Sequence, residues 1–251
     1  MSRVPAGVRD LLDDLARHLP TILDSNLVGI YLYGSLTQRA FDSARSDVDC
    51  IVVTRRALTP SQFKRLRAWL TMSAGRNPWT TRLQVSFLIK EKLLTPNTKA
   101  CLYQFGRLRR STSDGNPIIW MNVLESGVVL HGPRAHSFVP PITTEILFRA
   151  LKREIGYLRE ELIEKKESEW RDVSFYRAYA ALTVCRILYS WRKRTVVSKP
   201  RAAAWAIRHL PRRWKNLISS ALESDAGTPR RPVSLRALRE FLNFASAELC
   251  G

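Results

Sequence analysis

Residues 29–53, GIYLYGSLTQRAFDSARSDVDCIVV, decide the reading of this chain. An apolar run ends in Gly34-Ser35, a polar loop follows, and a second apolar run opens with Asp47-Val48-Asp49. LVGIYLYG and DVDCIVVT are short, rich in β-branched and aromatic residues and bounded by turn residues, which predicts two neighbouring strands. Residues two apart on a strand project from the same face, so Asp47 and Asp49 are expected side by side. Two adjacent anions repel unless a cation lies between them. The fitting cation is a hard divalent ion: Mg2+ is commonly held by one or two carboxylates and keeps positions open for phosphate oxygens. Gly34-Ser35 supplies a turn whose backbone can approach a phosphate, and the hydroxyls of Ser35 and Ser46 can donate to it.

Around this segment the pattern alternates between helix and strand. GVRDLLDDLARHLPTILDS (7–25) places leucines at helical intervals and predicts an amphipathic opening helix. SQFKRLRAWLTMSA (61–74) predicts a second, with Ser61 as its cap, and RLQVSFLI (82–89) a third strand. SGVVLHGP (126–133) ends the β-type region, and after Pro140-Pro141 the chain turns helical, so domains are expected at 1–141 and 142–251. TTEILFRALKREIGYLREELIEKKE, FYRAYAALTVCRILYSWRKR, KPRAAAWAIRHL and SLRALREFLNFASAEL each show apolar spacing near three and four, which predicts a bundle. Thr143 or Thr144 caps its first helix, and DAGTPRRPV is a loop.

With 251 residues and 45% hydrophobic content the chain can bury a substantial core. A formal charge of +19 favours phosphate-bearing or polyanionic partners, and its spread over both halves excludes a basic tail. The four cysteines show no zinc-ligand spacing, which predicts reduced thiols and a cytoplasmic location. Neither a signal peptide nor a run of 18 apolar residues is seen, so export and membrane insertion are not expected. Walker A and dinucleotide fingerprints are missing, and the four histidines lie in no nucleophile motif, which argues against P-loop, Rossmann and Ser-His-Asp chemistry.

The Gly-Ser, a spacer of about ten residues and the Asp-x-Asp together resemble the nucleotidyltransferase superfamily. The closer likeness is to the streptomycin/spectinomycin (aminoglycoside) adenylyltransferases, whose nucleotide-binding segment LYGSLTQRAFDSARSDVDCIVV is similar to, with one extra spacer residue. SGVVLHGP and LTVCRILYSWRKRTVVSKPRAAAWAIRHLP extend the likeness through most of the chain. The resemblance implies an α+β fold: an N-terminal nucleotidyltransferase (polymerase-β-like) mixed sheet with helices, then an all-α helical-bundle domain. It implies transfer of AMP from ATP to a hydroxyl of a small molecule such as streptomycin or spectinomycin, an antibiotic-resistance activity; a monomer is expected. Mg2+ is then expected on Asp47 and Asp49, with Gly34, Ser35, Ser46, Arg186 and Lys199 on the nucleotide. Two of these have support of their own. Arg186 lies in apolar ALTVCRILYS, where a guanidinium needs an anion, whether a phosphate or a salt-bridge partner. Lys199 follows Ser198 at the mouth of a helix, where amide groups also favour phosphate.

The chain departs from that family at three places. The third strand carries Gln84 where the resemblance implies a glutamate that takes the acceptor's proton, and an amide cannot do so at neutral pH. Leu108, flanked by Arg107, Arg109 and Arg110, stands where the family has a stacking tryptophan. Of the acids expected to bind a cationic drug, Asp172 matches one by spacing, the other falls on Tyr176, and Trp170 is a loose stacking candidate. Two alternatives follow: a nucleotide-binding protein with impaired transfer, motivated by Gln84, and a transferase acting on RNA, motivated by the Arg-rich clusters.

Overall fold

In the computed structural model, which describes residues 4–165, 167–228 and 231–250, the two apolar runs become antiparallel neighbours, β1 (Leu27–Tyr33) and β2 (Val48–Thr54). β2 pairs in parallel with β3 (Leu83–Ile89). A parallel pair needs a crossover, and α2 (Pro60–Arg76) provides it. β3 then pairs antiparallel with β4 (Thr98–Gln104), β4 with β5 (Arg107–Ser113), and β6 (Val128–His131) closes onto β1, giving the order β5-β4-β3-β2-β1-β6. The β4–β5 hairpin turns on Phe105 and Gly106, both at positive φ (52° and 72°), the requirement of a two-residue type I′ turn.

Alternation along the strands sorts the two faces. Val48, Cys50 and Val52 of β2 and Leu83, Val85 and Phe87 of β3 enter the core cluster. They pack with Leu11, Leu15 and Leu19 of α1 (Ala6–Leu23) and Leu66 and Leu70 of α2. Asp49 and Gln84 therefore lie on the opposite face. There α3 (Pro117–Ser126) runs beside β1 and buries Trp120.

The cap of α2 is Thr59, not Ser61. Pro60 takes the first helical position, and Thr59 and Gln62 form a reciprocal capping box. Thr59→Ala is expected to destabilise the first domain by about 1 kcal/mol, read as a lower urea midpoint with an unchanged slope.

Contacts divide the chain into Met1–Pro141 and Ile142–Gly251. In the second unit, α4 (Thr144–Arg159) is capped by Thr143 and widens into a π turn over Glu160–Glu164, where one continuous helix was expected. After α5 (Glu169–Asp172) comes α6 (Ser174–Lys193), buried on several sides by Ala181, Val184, Cys185 and Leu188, with α7 (Lys199–His209), α8 (Lys215–Asp225) and α9 (Leu235–Cys250) packed on it. α8 was not expected; KNLISSALESD shows a short apolar face overshadowed by the basic PRRWK before it. The DAGTPRRPV loop lies between α8 and α9, though its Pro229 and Arg230 fall outside the described residues. The fold is thus α+β, a mixed sheet with helices followed by an all-α region, and no helix among the described residues is long and apolar enough to cross a membrane.

Candidate active site

The Gly-Ser turn and the acidic strand meet through space. Tyr33 pairs with Asp49 across the β1–β2 ladder, which puts Gly34 beside the Asp49 side chain. Gly34 has φ +80°, and a Cβ there would stand 2.3 Å from Asp49 Oδ2, so glycine is required both by conformation and by space. Asp47 lies one residue before β2 rather than inside it, because the ladder begins at Val48 opposite Leu83. Gln84 faces Asp49 in the parallel register and donates from Nε2 to Asp47 Oδ2 at 2.7 Å. Asp47, Asp49 and Gln84 thus share one site. Gln104 Nε2 reaches Gln84 Oε1 at 3.5 Å, a contact at the weak limit of a hydrogen bond.

The loop between the strands is held by its own polar groups. Arg82 donates to the carbonyls of Ser43 and Ser46 and stacks 4.5 Å from the centre of the Trp79 ring. Ser46 Oγ accepts from the Asp42 amide at 2.9 Å, so its hydroxyl braces the loop while keeping its proton to donate. The Arg45 guanidinium hydrogen-bonded to Asp42, helped by the Ala44 amide, holds that carboxyl below the usual carboxylate range. Gly34 N–H donates to Asn122 Oδ1 on α3 at 3.1 Å and is therefore already engaged, at the turn whose backbone was expected to approach a phosphate. Ser35 Oγ is buried without a hydrogen-bond partner. Arg82 and Asn122 carried no motif signal; Asn122 stood out only as a polar residue within PIIWMNVLES.

No group of three or more His, Cys, Asp or Glu side chains that could hold a metal occurs among the described residues. Two carboxylates beside an unpartnered buried hydroxyl suit Mg2+, which takes its remaining ligands from phosphate and water. Cys50, next to Asp49, is no ligand: burial, aided by the Asp49 charge, pushes its thiol far up.

In the second domain, Arg186 on α6 is half-buried and donates from Nε to the Val197 carbonyl at 3.2 Å. That carbonyl lies two residues before Lys199, so both cations gather at the start of α7. Ser198, the α7 cap residue, is buried, makes no capping bond and leaves its Oγ without a partner. Lys199 Nζ lies 3.1 Å from Asp225 Oδ1 and 4.7 Å from the Tyr179 ring centre. A phosphate would compete with Asp225 for this ammonium. Asp172 ends α5 and is exposed, whereas Tyr176 stacks on Trp170 at 5.3 Å. Trp170 also meets Tyr179 edge-on at 5.7 Å, so these aromatics run continuously to Lys199.

A mixed sheet with a Gly-Ser turn packed against a two-carboxylate strand, in a chain that continues as helices, is the arrangement that the resemblance to the nucleotidyltransferases led one to expect. Comparison with known proteins narrows this. Residues 137–248 match the family model described as aminoglycoside adenylyltransferase, C-terminal domain. A spectinomycin 9-adenylyltransferase of Campylobacter jejuni is 24% identical over 82% of this chain and 81% of its own length. An aminoglycoside (3'') (9) adenylyltransferase of Escherichia coli is 23% identical over 99% of this chain and 96% of its own. The fold matches a crystal structure of spectinomycin adenyltransferase AAD(9) from Enterococcus faecialis with ATP and spectinomycin, with a TM-score of 0.74, 16% identity and coverage of 97% and 99% of the two chains. The likeness to the aminoglycoside adenylyltransferases thus runs through nearly the whole chain and supports a nucleotidyltransferase enzyme.

Proposed function

We propose that the chain transfers AMP from ATP to a hydroxyl of a small-molecule acceptor, an aminoglycoside such as streptomycin or spectinomycin. The observation that carries this reading is the packing of Gly34 against Asp49 with Gln84 hydrogen-bonded to Asp47, one cluster drawn from three strand ends. In the proposed reaction the acceptor oxygen attacks the α-phosphorus, the new P–O bond forms as the bond to pyrophosphate breaks, and the hydroxyl proton passes to water. Gly34 leaves room for the Asp49 carboxylate, Ser35 and Ser46 donate to phosphate oxygens, and Arg186 and Lys199 neutralise phosphate charge. Asp47 and Asp49 would hold Mg2+, which when bound supplies further charge neutralisation at the phosphates. Gln84 orients the acceptor hydroxyl without taking its proton, and Asp172 and Tyr176 contact the acceptor.

Gln84 also favours a second reading, a nucleotide-binding protein with slow transfer, because loss of a general base typically lowers rate by about 10²–10⁴-fold. One experiment tests both: ATP labelled at the α-phosphate, offered with streptomycin, spectinomycin and RNA, beside calorimetric titration with ATP and Mg2+. Label on an aminoglycoside is the expected result. ATP binding with no labelled product supports the second reading; salt-sensitive labelling of RNA alone makes nucleic acid the acceptor. Absence of ATP binding removes both readings.

A further inference from the structure

Asn122 holds the Gly-Ser turn with one half of its amide and leaves the other half unengaged. The residue is 4% exposed, and its Oδ1 accepts the Gly34 N–H at 3.1 Å. Only an oxygen can accept from a backbone N–H, so the orientation of the amide follows from this bond, and Nδ2 with its two protons is the atom left over. No partner for Nδ2 is found among the described residues. The same turn contains a second unsatisfied group, Ser35 Oγ, which is buried and unpartnered. Buried polar groups are ordinarily satisfied, so Ser35 Oγ, at the turn that Asn122 holds, calls for a missing partner, and the unengaged amide of Asn122 offers that partner a second donor.

The surrounding bonds make α3 the support of this turn. Thr37 Oγ1 donates to the Gly34 carbonyl at 3.1 Å and lies 3.4 Å from Ser126 Oγ, which in turn donates to the Asn122 carbonyl at 3.1 Å. Gly34 N–H, spent on Asn122, cannot serve a phosphate without breaking this network. The side-chain amide restores what the backbone has given up, since it takes one N–H and presents its own.

We propose that Asn122 is a nucleotide-binding and positioning residue: Oδ1 fixes Gly34 in place, and Nδ2 donates to a phosphate oxygen of ATP beside Ser35. This rests on the nucleotide reading above, and it assigns α3 a direct part in the site. The donor serves any nucleoside triphosphate, because it meets phosphate and not the base.

The test is calorimetric titration of the full chain with ATP and, separately, with adenosine, for the native protein, Asn122→Asp and Asn122→Ser. Asn122→Asp keeps an acceptor for Gly34 N–H and replaces the amide donor by an anionic oxygen; Asn122→Ser removes the amide without adding charge. Charge-assisted hydrogen bonds to phosphate are among the stronger ones, so ATP affinity is expected to fall about 10- to 100-fold in Asn122→Asp and about 10-fold in Asn122→Ser. Adenosine affinity should stay within about twofold. ATP affinity unchanged in a folded variant overturns the proposal. An equal loss for ATP and adenosine overturns it too, because that pattern marks a purely structural residue. Should Asn122→Asp fail to fold, by circular dichroism, Asn122→Ser carries the same comparison. If the native chain itself binds no ATP, the nucleotide reading is what fails, a result distinct from native binding that Asn122 variants retain.

Discussion

Asp47→Asn is expected to lower AMP transfer by about 10³-fold or more and to remove the Mg2+-dependent part of ATP binding, with no loss of fold stability. The substitution is isosteric, and Gln84 Nε2, now 2.7 Å from Asp47 Oδ2, can donate equally well to an amide oxygen. It also removes one of two neighbouring negative charges, so the thermal midpoint should hold or rise. What disappears is one of the two carboxylates proposed to hold the divalent ion. The measurement pairs titration with ATP, with and without Mg2+, and a thermal melt. Mg2+-dependent binding that survives the change would put the metal on other residues, and a collapsed melt would make Asp47 structural.

Gln84→Glu is expected to act in the opposite direction on rate, raising AMP transfer by about 10²–10⁴-fold. The new carboxylate would stand opposite Asp49 and beside Asp47, where the family places its base. The same change should weaken the protein when Mg2+ is withheld. An amide that donates to Asp47 gives way to an anion facing it, so the new carboxyl is expected to hold its proton more tightly in the folded state than its unfolded value of about 4.3. A folded-state pKa above the unfolded one means that stability is lost as pH rises, so the deficit against the native chain should be fullest near neutral pH and fade below about pH 4. Melts across this range with chelator and with excess Mg2+, together with initial rates, check both parts. A rate that does not move would mean that the acceptor hydroxyl is not delivered to position 84.

Much of this architecture could be read from local pattern. β1 and β2 followed from apolar runs bounded by turns, and α1, α6, α7 and α9 from leucine and alanine spacing. The β4–β5 hairpin was not legible. RLRRSTS is an edge strand with little apolar alternation, and its turn is Phe105-Gly106 in place of the usual Asn-Gly. Position 59 rather than 61 caps α2 because proline is favoured at the first helical position, a local rule that points to the residue before Pro60. Long-range partners left still less trace: Arg82 reaches Ser46 across 36 residues, and Asn122 reaches Gly34 across 88.

By itself the amino-acid order determined that a glycine turn and a pair of aspartates belong to the ends of adjacent strands, because the two-residue strand period reads out which side chains share a face. Only the tertiary structure decided that Gln84 donates a hydrogen bond to Asp47, that Asn122 claims the Gly34 amide, and that Lys199 is paired with Asp225. Such choices depend on sheet register and on how helices pack, and neither is encoded in the periodicity of any one segment.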